Sequence, residues 1–204
     1  YLQDIGDWYN KNVTGSMIIQ GRMLRDIRLG SKNNPVIISI SSLTLSNCVS
    51  LQRLLLSNIT TLSGTLNLTA CEHLQEIYAD GTSLAQIVLP SGGGLRVVEY
   101  SRFNQYLSLS NYPLLTDDGI GIDLCKTVIS DFFIVDCALV RPMKILVDIM
   151  NAQMEQGDNH ALKRIRAVGF EESYNNSFIL DKLVDLTNGT YSGLSSEGLS
   201  GEDE

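Results

Sequence analysis

A nine-residue motif recurs through the middle of the chain and leaves few folds open. Leu43-Thr-Leu45-Ser-Asn-Cys48-Val-Ser-Leu51 returns as Leu66-Asn-Leu68-Thr-Ala-Cys71-Glu-His-Leu74. It returns again as Ile87-Val-Leu89-Pro-Ser-Gly92-Gly-Gly-Leu95 and as Leu107-Ser-Leu109-Ser-Asn-Tyr112-Pro-Leu-Leu115. The starts lie 23, 21 and 20 residues apart. A period of roughly 20–29 residues with apolar anchors in register marks a solenoid, in which each coil buries its apolar side only by stacking on its neighbours. Such folds present binding surfaces more often than active sites.

After each copy of that motif comes a second one. In Leu51-Gln-Arg-Leu54-Leu-Leu56, Leu74-Gln-Glu-Ile77-Tyr-Ala79 and Leu95-Arg-Val-Val98-Glu-Tyr100, the alternation at 54/56, 77/79 and 98/100 is that of a short strand with one face buried. A second extended piece at Leu66/Leu68, Ile87/Leu89 and Leu107/Leu109 is expected on the opposite side of the coil. Asp80-Gly81, Pro90 to Gly94 and Asn111-Tyr-Pro113 supply the turns. The glycine run lacks the Gly-Lys-Ser/Thr ending of a phosphate loop. One coil is predicted to bury Leu74, Ile77, Ala79, Leu84, Ile87 and Leu89 together.

The flanks read as variations on this plan. Leu24-Arg-Asp-Ile27-Arg-Leu29 resembles an earlier strand of the same type, and Leu2, Ile5, Trp8 and Tyr9 have the spacing of a short capping helix. Pro142 followed by Met143, Ile145, Leu146, Ile149 and Met150 predicts a helix ending near Gly157. Leu162-Lys-Arg-Ile165-Arg-Ala167 then predicts another strand of the first type, and Ile179 to Leu186 a second helix. The implied organisation is a cap over 1–19, coils over 20–140, strand-helix repeats of the same solenoid over 141–189, and a flexible acidic tail over 190–204.

Charge and cysteine usage narrow the partners. A net charge of −8 in 204 residues argues against a nucleic-acid or anionic-membrane partner, either of which needs a basic face. No apolar stretch approaches the roughly 20 residues of a membrane span, so no membrane insertion is expected. No signal peptide is visible, and a chain opening on Tyr1 reads as a piece of a longer protein. Cys48, Cys71 and Cys137 share one slot of the repeat, which suits small buried thiols. With Cys125, their spacings match no zinc pattern.

Enzymatic chemistry has little to stand on. His73 and His160 are the only histidines: one follows Cys71 into a turn, the other lies in a polar linker. Asp117 to Asp123 has the wrong spacing for a calcium loop and lacks its closing Glu. No catalytic residue, cofactor or metal is expected. A contact face is better supported. Alternation places Asp26, Arg28, Arg53, Leu55, Ser57, Glu76, Tyr78, Asp80, Val97, Glu99, Ser101, Arg164, Arg166 and Val168 on the outward, concave side of the sheet. Its core would be Arg53, Leu55, Glu76, Tyr78, Asp80, Glu99, Arg164 and Arg166, with Tyr78 beside Leu55 and charge around both.

Leu74-Gln-Glu-Ile77-Tyr-Ala79-Asp-Gly-Thr82-Ser-Leu84 fits Leu-x-x-Leu-x-Leu-x-x-Asn-x-Leu with Thr82 in the Asn slot, so residues 20–187 resemble leucine-rich-repeat proteins. The resemblance implies an α/β fold: a leucine-rich-repeat solenoid with a curved parallel β-sheet, β-rich in the centre and with helices at the C-terminal coils. The stretch from Leu66 to Gly93, and Ala161 to Phe170 with the segment ending Asp185 to Thr190, also resemble repeat segments of phage or prophage tail and fibre proteins of gut bacteria. That resemblance implies a structural or receptor-contacting module of the virion tail, with a protein or surface glycan as partner and homo-oligomers formed through flanking regions. The alternative is a bacterial cell-surface, extracellular adhesin with the same repeats.

Overall fold

The computed structural model describes residues 3–6, 8–91, 93–101, 103–122, 128–155 and 164–168. These residues hold thirteen short strands and one α-helix, joined by turns and loops. In chain order they are β1 (Asp4–Ile5), β2 (Thr14–Gln20), β3 (Asp26–Arg28), β4 (Ser39–Ser46), β5 (Arg53–Leu55), β6 (Ser63–Asn67) and β7 (Glu76–Tyr78). There follow β8 (Ser83–Val88), β9 (Val97–Tyr100), β10 (Tyr106–Ser110), β11 (Ile120–Ile122), β12 (Asp131–Val135), α1 (Pro142–Glu155) and β13 (Arg164–Val168). The odd strands up to β11 form one six-stranded sheet in the order β1-β3-β5-β7-β9-β11, every pair parallel. The remaining strands pair as β2-β4, β6-β8 and β10-β12-β13, also parallel. The chain is a parallel β-solenoid of about five turns, strand-rich, with a single helix among the described residues.

Each coil contributes one strand to the six-stranded sheet and one to the second row. Apolar side chains from both meet in one continuous core. Leu54, Ile77 and Val98 occupy equivalent register positions in the first row, and Leu45, Leu66 and Ile87 fill the second; all are buried. Parallel strands cannot be joined by tight hairpins. Corners of defined geometry replace them, and the repeated motif encodes these corners. The amide of Leu51 donates to Cys48 O, Leu74 to Cys71 O, Leu115 to Tyr112 O and Val140 to Cys137 O, at 2.9–3.3 Å. Leu24 donates in the same way to Gly21 O, so Gly21 occupies this slot in an earlier coil. Asn47, Asn111 and Asp136, each just before the slot, have φ of 54°, 58° and 50°. Short Asn and Asp side chains tolerate that left-handed conformation better than other non-glycine residues.

The slot thiols are buried, and Cys48, Cys71 and Cys137 are free. Burial raises the Cys71 thiol to about 11, so it stays protonated at neutral pH and behaves as a small hydrophobe. Of the six residues expected to share one coil's core, Leu74, Ile77, Ala79, Leu84 and Ile87 are buried, and Leu89 packs half-buried against them.

A second corner follows β5, β7 and β9. The amides of Ile59 and Thr82 donate to Leu56 O and Ala79 O, and Asn104 donates to Ser101 O. β9 is a residue longer than β7, which places Asn104 at the corner position held by Thr82 one coil earlier. Asn104 is fully buried. Its Oδ1 accepts from the Ser101 amide at 2.7 Å and its Nδ2 donates to Leu84 O at 3.0 Å. Asn104→Ala strands a buried amide and a buried carbonyl, each costing about 1–3 kcal/mol. The expected loss is about 2–4 kcal/mol in denaturant melts; a loss below about 0.5 kcal/mol would show that the corner does not depend on this side chain.

The flanks depart from expectation in three ways. In place of a capping helix, residues 4–20 hold β1, a 3-10 turn over Trp8–Asn10, and β2. Pairing of Asp4 and Ile5 with Asp26 and Ile27 overrides the helical spacing. The helix over Pro142–Glu155 forms as expected and buries Ile145, Leu146, Ile149, Met150 and Ala152 along one stripe. In chain order it takes the place where earlier coils put a strand of the six-stranded sheet. The Asp117 carboxylate, accepting from the backbone amide and Nε of Arg141, ties its start to the coil before. Gln153 Nε2, donating to Ile129 O at 2.9 Å, ties its end. The third departure is β13, which pairs with β12 and lies in the second row. The helix expected over 179–186 and the acidic tail over 190–204 lie outside the described residues.

Candidate contact face

The outward side of the six-stranded sheet is built by register. Asp26, Arg53, Glu76 and Val97 form one row across β3, β5, β7 and β9. Arg28, Leu55, Tyr78 and Glu99 form a second row, two residues further along each strand. Between the rows Ile27, Leu54, Ile77 and Val98 point the other way and are buried. Tyr78 and Leu55 are therefore cross-strand neighbours, as the alternation predicts.

Arg164 and Arg166 do not belong to this face. Their strand registers with Asp131 and Phe133 of β12, in the second row. Leu-x-x-Leu-x-Leu alternation states that a strand has one buried side, but not which sheet it joins. In chain order α1 stands where the next strand of the first row would, and the strand after it pairs in the second row. Ser57 and Ser101 are also displaced from expectation: both are buried in the corners beyond the strands. Ser57 Oγ donates to Asp80 Oδ1 at 2.6 Å, and the Ser101 hydroxyl donates to Thr82 O. Asp80 is half-buried at the edge of the face.

Lys32 completes the constellation, and alternation could not have found it. It lies in the loop after β3 and reaches across β5. Its ammonium stands 4.5 Å from the centre of the Tyr78 ring and pairs with the Glu99 carboxylate. The only sequence sign of such a loop is the polar run Ser31-Lys-Asn-Asn34, whose start is pinned by the Asn34 amide donating to Ser31 Oγ at 3.0 Å. On the other row, Arg53 Nε donates to Glu76 Oε2 at 2.6 Å, and Tyr78 Oη donates to the same oxygen at 3.1 Å. Asp26 Oδ2 stands 3.2 Å from Arg28 Nε and 3.9 Å from Arg53 Nη1. The face is thus a connected network of side chains that hold one another in place.

No family model, curated protein or solved structure matches this chain. Its chemistry must be read from its own residues. His73 is exposed beside buried Cys71, and Asp117 is engaged by Arg141, so neither joins the face. His160 and Cys125 lie outside the described residues. Among the described residues no helix is long and apolar enough to cross a membrane.

The two central carboxylates titrate in opposite senses. The Arg53 hydrogen bond holds Glu76 below its ordinary 4.5, against burial and with help from Tyr78. Burial raises Glu99 above 4.5; Lys32 opposes the rise, and contact with the Asp80 carboxyl adds to it. A depressed carboxylate contributes stability above pH 4.5, lost as pH falls through its lower folded value. A raised one contributes below 4.5, and the contribution is lost as pH rises through its higher folded value. Glu76→Gln is therefore expected to lower Tm at pH 7, by an amount that shrinks toward pH 3. Glu99→Gln is expected to leave Tm unchanged or raise it at pH 7, with the difference vanishing at low pH. Melting curves from pH 3 to 8 test both; a larger loss at pH 7 for Glu99→Gln than for Glu76→Gln would contradict this electrostatic assignment.

Proposed function

We propose that the chain is a non-enzymatic binding and structural module built on leucine-rich repeats. In this reading it belongs to a phage or prophage tail or fibre protein and contacts a host surface component, or another tail protein, through the outward side of the six-stranded sheet. One observation carries the reading: a half-buried aromatic, Tyr78, and Leu55 beside it are surrounded by charged side chains already locked into ion pairs and hydrogen bonds. Side chains ordered before binding lose less conformational freedom when a partner arrives. Aromatic residues with a polar surround are favoured as contact anchors. The recurring Leu-x-x-Leu-x-Leu strands support the leucine-rich-repeat assignment, and the Leu66 to Gly93 resemblance supports the tail-protein assignment.

The test is binding of the fluorescently labelled protein to intact gut-bacterial cells across a strain panel. Strain-selective binding that falls at least about tenfold in a Tyr78→Ala/Leu55→Ala variant is the expected result. Binding that the double variant retains in full would remove the face from the function. No binding to any strain would turn the search to a protein partner within a larger assembly.

A further inference from the structure

The contact face has a layered charge distribution. Its cations are the more exposed groups: the side chains of Arg53, Lys32 and Arg28 are 47%, 41% and 40% accessible. The carboxylates beneath them, Asp26, Glu76 and Glu99, are 17%, 25% and 19% accessible. An approaching ligand meets guanidinium and ammonium groups first, although the chain as a whole is acidic. The acids act as supports that fix the position of the cations.

Arg53 shows what this arrangement leaves available. Its hydrogen bond among the described residues is made by Nε, to Glu76. Nη1 stands 3.9 Å from Asp26, close enough for charge attraction and too far for a hydrogen bond. The terminal nitrogens therefore keep their donors while the group is held at its base. A guanidinium positioned in this way pairs with a carboxylate or sulfate through two parallel N–H donors. Lys32 is the second point. It is anchored over Tyr78, one strand across from Arg53 and two residues further along. From strand spacing and rise, the backbone positions of Arg53 and Tyr78 are separated by about 8 Å.

Two features select the class of polyanion. Among the described residues, the exposed large apolar side chains, Trp8, Ile18, Ile37 and Leu139 among them, all lie off the two rows. The rows instead carry Asp26, Glu76 and Glu99, acidic residues of the kind that protein–protein interface cores avoid. The Lys32 ammonium also covers the Tyr78 ring, which disfavours simple stacking of a neutral sugar on that aromatic. A hydrogen-bonding polymer with regularly spaced anionic groups satisfies both constraints.

We propose that this face binds an acidic polysaccharide, with Arg53 clamping one carboxylate or sulfate and Lys32 pairing with a second. This inference rests on the contact-face reading above and names the ligand class for the same site. The protein's net negative charge opposes long-range attraction. Exposed charges beyond about 8 Å are screened at physiological ionic strength, so the two local contacts decide affinity.

The experiment measures binding of the whole chain to polygalacturonate, to dextran sulfate and to neutral dextran, with intact-cell binding alongside. Saturable binding to at least one of the polyanions, little to dextran, and a loss of at least about tenfold in both Arg53→Gln and Lys32→Gln is the expected result. Arg53→Lys keeps the charge and loses the fork, so it should recover only a small part of the affinity. Cooperative melting well above the assay temperature establishes that the variants fold, since Arg53→Gln also removes the Glu76 bond and is expected to lower Tm somewhat. Equal binding to dextran, no polyanion binding, or full retention in both variants overturns the inference. If cells are still bound through Tyr78 and Leu55 while the polyanions are not, the contact face stands and its ligand is not an acidic glycan. If Tyr78→Ala/Leu55→Ala also leaves cell binding intact, the contact-face reading falls as well.

Discussion

Replacing Ile77 by Asp is expected to abolish cooperative folding. Ile77 is fully buried at the centre of β7, with Leu54 on one side and Val98 on the other. The substitution forfeits about 2–5 kcal/mol of packing and places a carboxylate among apolar neighbours, which adds several kcal/mol or forces protonation. Together these approach the whole stability of a typical domain, about 5–15 kcal/mol. Position amplifies the effect. In a solenoid each coil contacts only its neighbours, so a broken central coil separates the array into two short stacks with new open ends. Circular dichroism should show no sigmoidal thermal transition for Ile77→Asp. Ile77→Val, which keeps shape and polarity, should cost only about 0.5–1.5 kcal/mol. The adjacent change Tyr78→Asp, on the outward side, should still fold. A cooperatively folding Ile77→Asp chain would mean that the strand presents its other face to the core, because a slip of one residue exchanges the two faces.

That experiment tests the part of the fold that was legible in sequence. The central coils could be read because each one solves the same packing problem: Leu54, Ile77 and Val98 fill equivalent places, and Cys48, Cys71 and Cys137 fill equivalent corners. The helix at Pro142 was legible for a different reason, since its apolar residues recur at a spacing that only a helix brings to one side. What escaped was information carried by pairing partners. Ile5 and Trp8 suit a helix locally, but the open edge of β3 captures Asp4 and Ile5 as a strand. Gly21 was invisible as a corner because it has no side chain to match against Cys48. Arg164 and Arg166 carried the right motif into the wrong sheet, since that motif describes both rows equally well. At the contact face, Arg53, Leu55, Glu76, Tyr78 and Glu99 followed from alternation alone, whereas Lys32 reaches its place from a loop, where no periodicity applies.

The second large effect is expected at Gly30, where the chain leaves β3 and turns against the next coil. The amides of Leu29 and Gly30 both donate to Leu55 O at 3.0 Å, and that of Ser31 donates to Ser57 O at 3.0 Å. These bonds draw the backbones of two coils into direct contact. A methyl group at Gly30 would collide with Ser57 O and the Leu56 carbonyl carbon, and would lie 2.6 Å from Ser57 N. All three are main-chain atoms, so no side chain can rotate away. Relief requires the coils to separate, at the expense of the hydrogen bonds that join them. Gly30→Ala is therefore expected to cost about 3 kcal/mol or more, the upper range for overpacking. For a chain of this size that corresponds to a fall in Tm of about 10 °C. Gly6 provides the comparison: a methyl group there would meet nothing within 4 Å, so Gly6→Ala should stay within about 0.5 kcal/mol of the wild type. Differential scanning calorimetry of the two variants separates steric contact between coils from the general effect of losing a glycine. Equal melting temperatures would show that the coils at Gly30 lie further apart than this geometry. A selective loss would identify backbone approach, beyond apolar filling, as a condition for stacking one coil on the next. It would also explain why a residue without a side chain stands directly before the loop that delivers Lys32 to the contact face.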